Sequence, residues 1–331
     1  MTLASKDAHK FSVAPMMDWT DRHCRMFHRM LSKHALLYTE MVVADAVIHG
    51  DQEYLIGFDE REQPVALQIG GSEPVKLAEA SKIGEDFGYR EININIGCPS
   101  DRVQSGRFGA CLMAEPELVA DCYAAMASAV DIPVTVKCRL GIDQQDAEQT
   151  LPHFIETVKN AGCTHFIIHA RKAWLDGLSP KENRTVPPLD YDLVRRMKAQ
   201  FPDLTIILNG GLEDLQHARD EMGALDGVMF GRAAYHTPWI LTEVDAAFFD
   251  GPLQNLRRRD IVTEIVAYLK SVEKKDRSAK AMIRHIMGLY HGEPGARIWR
   301  RALSEADPSL APSEKVAQAF DLYTQFLQKA A

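Results

Sequence analysis

The chain has 331 residues, 46% of them apolar and 25% charged, the balance of a folded globular protein and not of a disordered or membrane-embedded one. That length suits a barrel of about 250 residues with a smaller appendage. The formal charge of -8 argues against a nucleic-acid partner until its distribution is read: Arg257 to Arg301 holds twelve basic residues against five acidic ones, a local +7 that leaves -15 for the rest.

In chain order, eight short β-rich runs begin at Phe11, Leu36, Val65, Glu91, Pro133, His165, Thr205 and Asp226, each apolar nearly throughout. Helical patterns separate most of them, at Pro74 to Phe87, Pro116 to Val130, Asp146 to Asn160 and Tyr191 to Gln200. Several of these are entered by the Asp, Ser or Pro that helix starts require. The link from Val43 to Pro64 is the least regular. Strands buried on both faces and alternating with helices predict a parallel sheet, and eight such units predict a closed (β/α)8 TIM barrel. After Pro252 the strand pattern stops and helical patterns follow at Asp260 to Lys270, Ala279 to Tyr290 and Ser313 to Lys329, so a C-terminal all-helical domain is expected. The expected division is 1–250 for the barrel and 251–331 for the helical domain.

Met1 to Lys10 is polar, unlike a signal peptide, and no run of eighteen apolar residues occurs, so the expected location is cytoplasmic with no membrane contact. The six cysteines form no CxxC pair and no zinc-type spacing, so neither disulfides nor a metal site is expected. A weak hint from the acidic surface favours a monomer.

Barrel chemistry belongs at the C-terminal ends of the strands. Cys98 sits there, in Asn95-Ile96-Gly97-Cys98-Pro99-Ser100, where the fourth strand opens into a glycine-bearing loop suited to a lid. Most cysteines are simply buried, and the other five are read that way. Asn209-Gly210-Gly211 ends the seventh strand and Gly231-Arg232 the eighth, the two places where barrels hold a phosphate. Lys137 lies in an apolar strand and needs an anionic partner, which a reduced flavin supplies near N1 and O2. Gln68 is placed to read a flavin's pyrimidine edge, and His169 to reach its phosphate or ring. With no GxGxxG, Walker or HExxH motif present, barrel-bound FMN remains, with a nicotinamide only as a transient donor. A structural ion pair for Lys137 and turn-capping roles for the glycines are the plainer alternatives.

At these residues the chain resembles the tRNA-dihydrouridine synthases almost end to end, in APMMDWTDRHCR, LQIGG, NINIGCPSDRVQSGRFGACLM, VKCRLGID, HARKAWLDGLSPKENR, NGG and FGRAAY. The stretch Lys172 to Pro188 and the run Arg297-Ile-Trp-Arg-Arg are similar to the A subfamily, which modifies uridines 20 and 20a of the D loop. The resemblance implies FMN held by Pro15, Met16, Met17, Gln68, Lys137, His169, Asn209, Gly210, Gly211, Gly231 and Arg232, with Cys98 as catalytic acid. It implies tRNA contacts at Asn95, Lys181, Arg184, Arg297 and Arg300, with Arg171 joining Asn95 in reading a flipped base. It further implies that NADPH reduces FMN, that flavin N5 delivers hydride to uracil C6, and that Cys98 protonates C5. Two other readings compete: an FMN barrel oxidoreductase acting on a small pyrimidine or enone, and a non-enzymatic tRNA chaperone.

Overall fold

The computed structural model describes residues 8–330, and in it eight parallel strands close into a barrel in chain order. They are β1 (Phe11–Val13), β2 (Leu36–Val43), β3 (Val65–Gly70), β4 (Glu91–Ile96), β5 (Val134–Arg139), β6 (His165–His169), β7 (Thr205–Asn209) and β8 (Gly227–Phe230). β1 closes the ring on β8 through the pairs Phe11 with Val228 and Val13 with Phe230. All eight expected strands are present. The connecting helices are α1 (Arg22–Leu31), α2 (Ala44–His49), α3 (Gln52–Ile56), α4 (Pro74–Asp86), α5 (Asp101–Ser105), α6 (Pro116–Ala129), α7 (Ala147–Asn160), α8 (Tyr191–Gln200), α9 (Leu215–Met222), α10 (Arg232–His236) and α11 (Val244–Phe248).

Local chemistry starts these helices where the sequence marks them. Asp146 caps α7 by accepting from the Glu148 N–H, Asp190 caps α8 through Leu193, and proline opens α4 and α6. The irregular link from Val43 to Pro64 is not a loop: it folds as α2, α3 and a 3-10 turn at Glu60–Glu62.

Alternation along the strands divides the apolar residues into two bodies. The larger lies between strands and helices, with Leu67, Ile94, Val136 and Phe154 among its members. The smaller fills the barrel itself with Ala14, Leu36, Tyr38, Ala66, Ile167, Ile207 and Met229. The strands are therefore not apolar throughout. On β3, β4 and β5 the inward positions carry Gln68, Glu91, Asn93, Asn95, Thr135, Lys137 and Arg139, an inner column of polar groups.

Beyond residue 257 only helices follow: α12 (Arg258–Val272), α13 (Met282–His285), α14 (Ala296–Ser304) and α15 (Pro312–Ala330). The expected helix from Ala279 to Tyr290 is corrected: it is a 3-10 turn, the single turn of α13 and a second 3-10 turn. There the Ile286 carbonyl accepts from the Leu289 N–H in a tightened turn and from the indole N–H of buried Trp299, each at 3.0 Å. These helices are fastened to α1. The Asp21 carboxylate caps α1 through the His23 and Cys24 N–H groups and also accepts from His285 Nε2 and Arg284, each at 2.9 Å. His23 adds hydrogen bonds to Tyr268 and Ser278.

Candidate active site

A cavity of about 910 Å³ opens at the C-terminal ends of the strands. All eleven residues expected to hold the cofactor line it, and so do Cys98, Asn95 and Arg184. Arg171, Lys181, Arg297 and Arg300 do not. Arg171 lies behind the wall and donates to the Pro187 carbonyl. Lys181 is exposed on the segment whose neighbours Pro180, Arg184 and Thr185 form one rim. Arg297 and Arg300 are exposed on α14, on the side away from buried Trp299 and Leu303.

Cations outnumber acids in the cavity, where Asp18 and Glu213 are the carboxylates on the lining. Lys137, Arg139, Arg184 and Arg232 line it and Arg171 backs it, yet among the described residues none of the five is ion-paired with a carboxylate. Lys137 donates to Asn209 Oδ1 at 2.9 Å, and Asn209 is itself oriented by donating to the Met229 carbonyl. Burial, reinforced by repulsion from Arg139, brings the Lys137 ammonium down to about 8. Burial likewise lowers Arg139 to about 10, with repulsion from Arg184 and Arg171 adding to it. His169 is held well below the ordinary histidine value by burial and then by Arg139 and Lys137, so it is neutral. Gathering cations at a cost in solvation, with none of them ion-paired to the acids on the lining, describes a site shaped for an anion.

Two glycines explain how the backbone can close on such a ligand. Gly210 and Gly211 both have positive φ, +108° and +70°, and a Cβ on Gly211 would sit 2.5 Å from Leu189 Cδ1 and 2.8 Å from the Tyr191 hydroxyl. Only glycine fits there.

Cys98 is half-buried on the opposite wall. Its turn is tightly specified: Asn95 Oδ1 accepts from the N–H groups of Gly97 and Cys98, and the Cys98 carbonyl accepts from Ala110. Its sulfur lies 3.5 Å from Ser100 Oγ. The loop beyond, expected as a lid, is folded as α5 and a 3-10 turn, with Gln104 donating to the Pro99 and Leu175 carbonyls. The other five cysteines take no part in the lining, and four of them are buried.

Sequence reasoning put Arg139 at a strand end on the ligand face but gave it no role; its guanidinium crosses from β5 to the Gly97 carbonyl at 3.0 Å and to the Asn183 carbonyl at 2.9 Å. It also missed Asn93 and Thr135 beneath the floor and Trp19 on the rim, stacked on Tyr235 at 4.3 Å. The signal for the first three was present: every second residue of Glu91 to Asn95 and of Thr135 to Arg139 is polar, which in a barrel means an inward column.

Comparison with known proteins then decides the family. The model for "Dihydrouridine synthase (Dus)" matches residues 12–324. The chain belongs to the dihydrouridine synthase family. This Dus chain is 54% identical over 302 residues to a protein of Xanthomonas campestris pv. campestris, with 91% of this chain and 90% of that one covered. It is 56% identical over 297 residues to one of Yersinia pestis, covering 89% and 86%. A Synechocystis protein is 49% identical over 323 residues, covering 96% and 97%. Each of the three bears the name tRNA-dihydrouridine(20/20a) synthase. The barrel also resembles the old yellow enzyme homologue from Zymomonas mobilis, with a TM-score of 0.52 at 13% identity over 74% of this chain and 90% of that one, a likeness of fold.

Membership makes this Dus chain a flavin-dependent enzyme, and its cavity fits such a group. Among the described residues buried His169 Nδ1, on the cavity lining with the glycine turn and the cations, has no hydrogen-bond partner, a donor that an anionic phosphate would satisfy. Among the described residues no group of three His, Cys, Asp or Glu could hold a metal ion, and no helix is long and apolar enough to cross a membrane.

Proposed function

We propose that this chain reduces uridine to 5,6-dihydrouridine at positions 20 and 20a of the tRNA D loop, with FMN as bound cofactor, NADPH as transient reductant and Cys98 as proton donor. The observation that carries the reading is that a half-buried thiol shares one cavity with a set of cations that are not ion-paired and with a glycine turn. Bound FMN, reduced by NADPH, would supply a hydride for uracil C6. Gly210, Gly211, Gly231 and Arg232 would hold its phosphate, Lys137 its N1–O2 edge, and Gln68 its pyrimidine amides, with Pro15, Met16, Met17, His169 and Asn209 completing the bed.

The Cys98 thiol gives its proton to C5 of the uracil ring. A thiol is suited to this because it parts with its proton far more readily than an aliphatic hydroxyl does. A base must leave its stack to enter a cavity this deep, and Asn95 would read its edge, joined by Arg171 only if that side chain leaves the Pro187 carbonyl behind the wall. Register on the folded tRNA is the task of phosphate contacts from Lys181, Arg184, Arg297 and Arg300, and residues 251–331 would act as the tRNA-binding domain beside a catalytic barrel of residues 1–250. The basic run from Arg257 to Arg301 supports this division of labour and disfavours a small-molecule oxidoreductase. A cytoplasmic monomer fits the reading.

The test is to map dihydrouridine in tRNA from a strain lacking this gene, with and without the protein restored. Positions 20 and 20a should return to the reduced form. If they stay as uridine while free pyrimidines or enones are reduced by the purified yellow protein, the small-substrate reading takes over.

A further inference from the structure

A file of hydrogen bonds runs up the barrel interior from its floor to the Cys98 turn, and its direction is set at both ends. At the floor the carboxylate of Glu91, only 3% exposed, can do nothing but accept. It takes the hydroxyl protons of Tyr38 and Thr135, each at 2.6 Å, and lies 2.9 Å from His9 Nε2. Thr135 has one proton and spends it on Glu91, so its oxygen accepts from Asn93 Nδ2 at 2.8 Å. Asn93 Oδ1 accepts from Gln68 Nε2 at 2.7 Å, and Gln68 Oε1 accepts from Asn95 Nδ2 at 2.8 Å. At the top, Asn95 Oδ1 accepts from the backbone N–H groups of Gly97 and Cys98, at 3.1 and 2.9 Å, and a backbone N–H can only donate.

Between a group that only accepts and two that only donate, three amides have one permitted orientation each. The consequence reaches the cavity, which both Gln68 and Asn95 line: among the described residues each keeps one amide hydrogen uncommitted, so the fixed amide nitrogens give that wall donors for a ligand. The same rows of the barrel are filled by apolar side chains on β6, β7 and β8, in Ile167, Ile207 and Met229, so filling space did not require a polar column on β3 to β5. A column of this kind is an expense if any link is unmet and a rigid element if all are met.

We infer that Glu91, acting through Thr135, Asn93, Gln68 and Asn95, is a positioning residue that holds the Cys98 turn and the donor wall of the cavity in register. The inference rests on the reading of Cys98 as proton donor for its catalytic meaning, but the linkage itself is a property of the protein without ligands. Tyr38 supplies an internal control, since its hydrogen bond to the same Glu91 oxygen matches that of Thr135 in length and burial while no amide of the file donates to its hydroxyl.

The experiment compares Thr135→Val, Thr135→Ser and Tyr38→Phe by amide hydrogen exchange on the full chain freed of flavin and RNA. Thr135→Val should raise exchange at Gly97 and Cys98 at least tenfold, while Thr135→Ser and Tyr38→Phe stay within twofold of the parent. If Thr135→Val folds poorly, Asn93→Ala cuts the same file one link higher and carries the same expectation. Equal effects of Thr135→Val and Tyr38→Phe, or no change in either, overturn the inference by reducing the column to packing. On the loaded enzyme, Thr135→Val should lower kcat about tenfold with KM for tRNA unchanged, and faster exchange at an unaltered kcat overturns the positioning role. Failure of the exchange test leaves the assignment of Cys98 standing, because that assignment is judged by Cys98 variants alone.

Discussion

Lys137 on β5 and Asn209 on β7 are joined across the barrel mouth by a 2.9 Å hydrogen bond, and Asn209 spends its own amide hydrogen on the Met229 carbonyl. The ammonium is thus aimed by a neutral group, with no acid to balance it. That is why burial can depress it to about 8.

The sign of the resulting pH dependence follows. Above pH 8 the folded protein without ligand has released this proton, while the unfolded chain holds it until about 10.4, so stability should rise with pH across that window. The gain is on the order of 2 kcal/mol after allowance for solvent in the open cavity. Lys137→Met should remove the rise in urea titrations at successive pH values. Flavin affinity should move oppositely, weakening toward tenfold per pH unit above 8 in the parent and staying flat in Lys137→Met. Parallel curves for parent and variant would refute the assignment of this lysine to the anion.

Cys98→Ala should lower dihydrouridine formation by about 10²–10⁴, the range lost with a general acid, while bound flavin and tRNA affinity persist. Cys98→Ser should remain close to the alanine variant, because a hydroxyl gives up its proton far less readily than a thiol. Single-turnover assays with transfer RNA decide it, and undiminished product from either variant removes Cys98 from the chemistry.

Arg297 and Arg300 share the exposed side of α14, outside the cavity. Replacing either with alanine should weaken tRNA binding several-fold and reduce the salt dependence of log K by about 0.7–0.9 per lost phosphate contact. KM should rise with kcat unchanged. An unaltered salt slope would return both arginines to an ordinary solvated surface.

Asp21 predicts acid lability at the seam between α1 and the C-terminal helices. Burial pushes its carboxyl up, but the His285 hydrogen bond and charge and the Cys24 N–H outweigh it and bring the group down to about 2. A depressed carboxyl adds stability above its unfolded value near 3.9 and loses it as pH falls toward 2, here about 2 kcal/mol. Asp21→Ala should cost about 2–4 kcal/mol at neutral pH, since the cap of α1 and the partners of Arg284 and His285 go together. Thermal unfolding of the two proteins at pH 7 and pH 3 measures it, and a difference that does not shrink at pH 3 contradicts the scheme.

What the sequence determined by itself was whatever local chemistry and period encode. Apolar runs bounded by turns mark all eight strands, caps and prolines mark the helix starts, and glycines that must adopt positive φ mark Gly210 and Gly211. The address of Cys98 belongs to the same class, because a strand end followed by Gly-Cys-Pro is a local event. Closure of the barrel decided the rest. It sets Lys137 against Asn209 and Arg139 against Gly97 and Asn183, and it joins Glu91 to Cys98 through side chains from β3, β4 and β5. It also leaves Arg171 behind the cavity wall while its neighbour His169 lines the cavity, a difference no spacing could express. Charge balance, orientation of amides and access to a cavity depend on which groups meet across the ring, and those meetings exist only once the first strand has found the last.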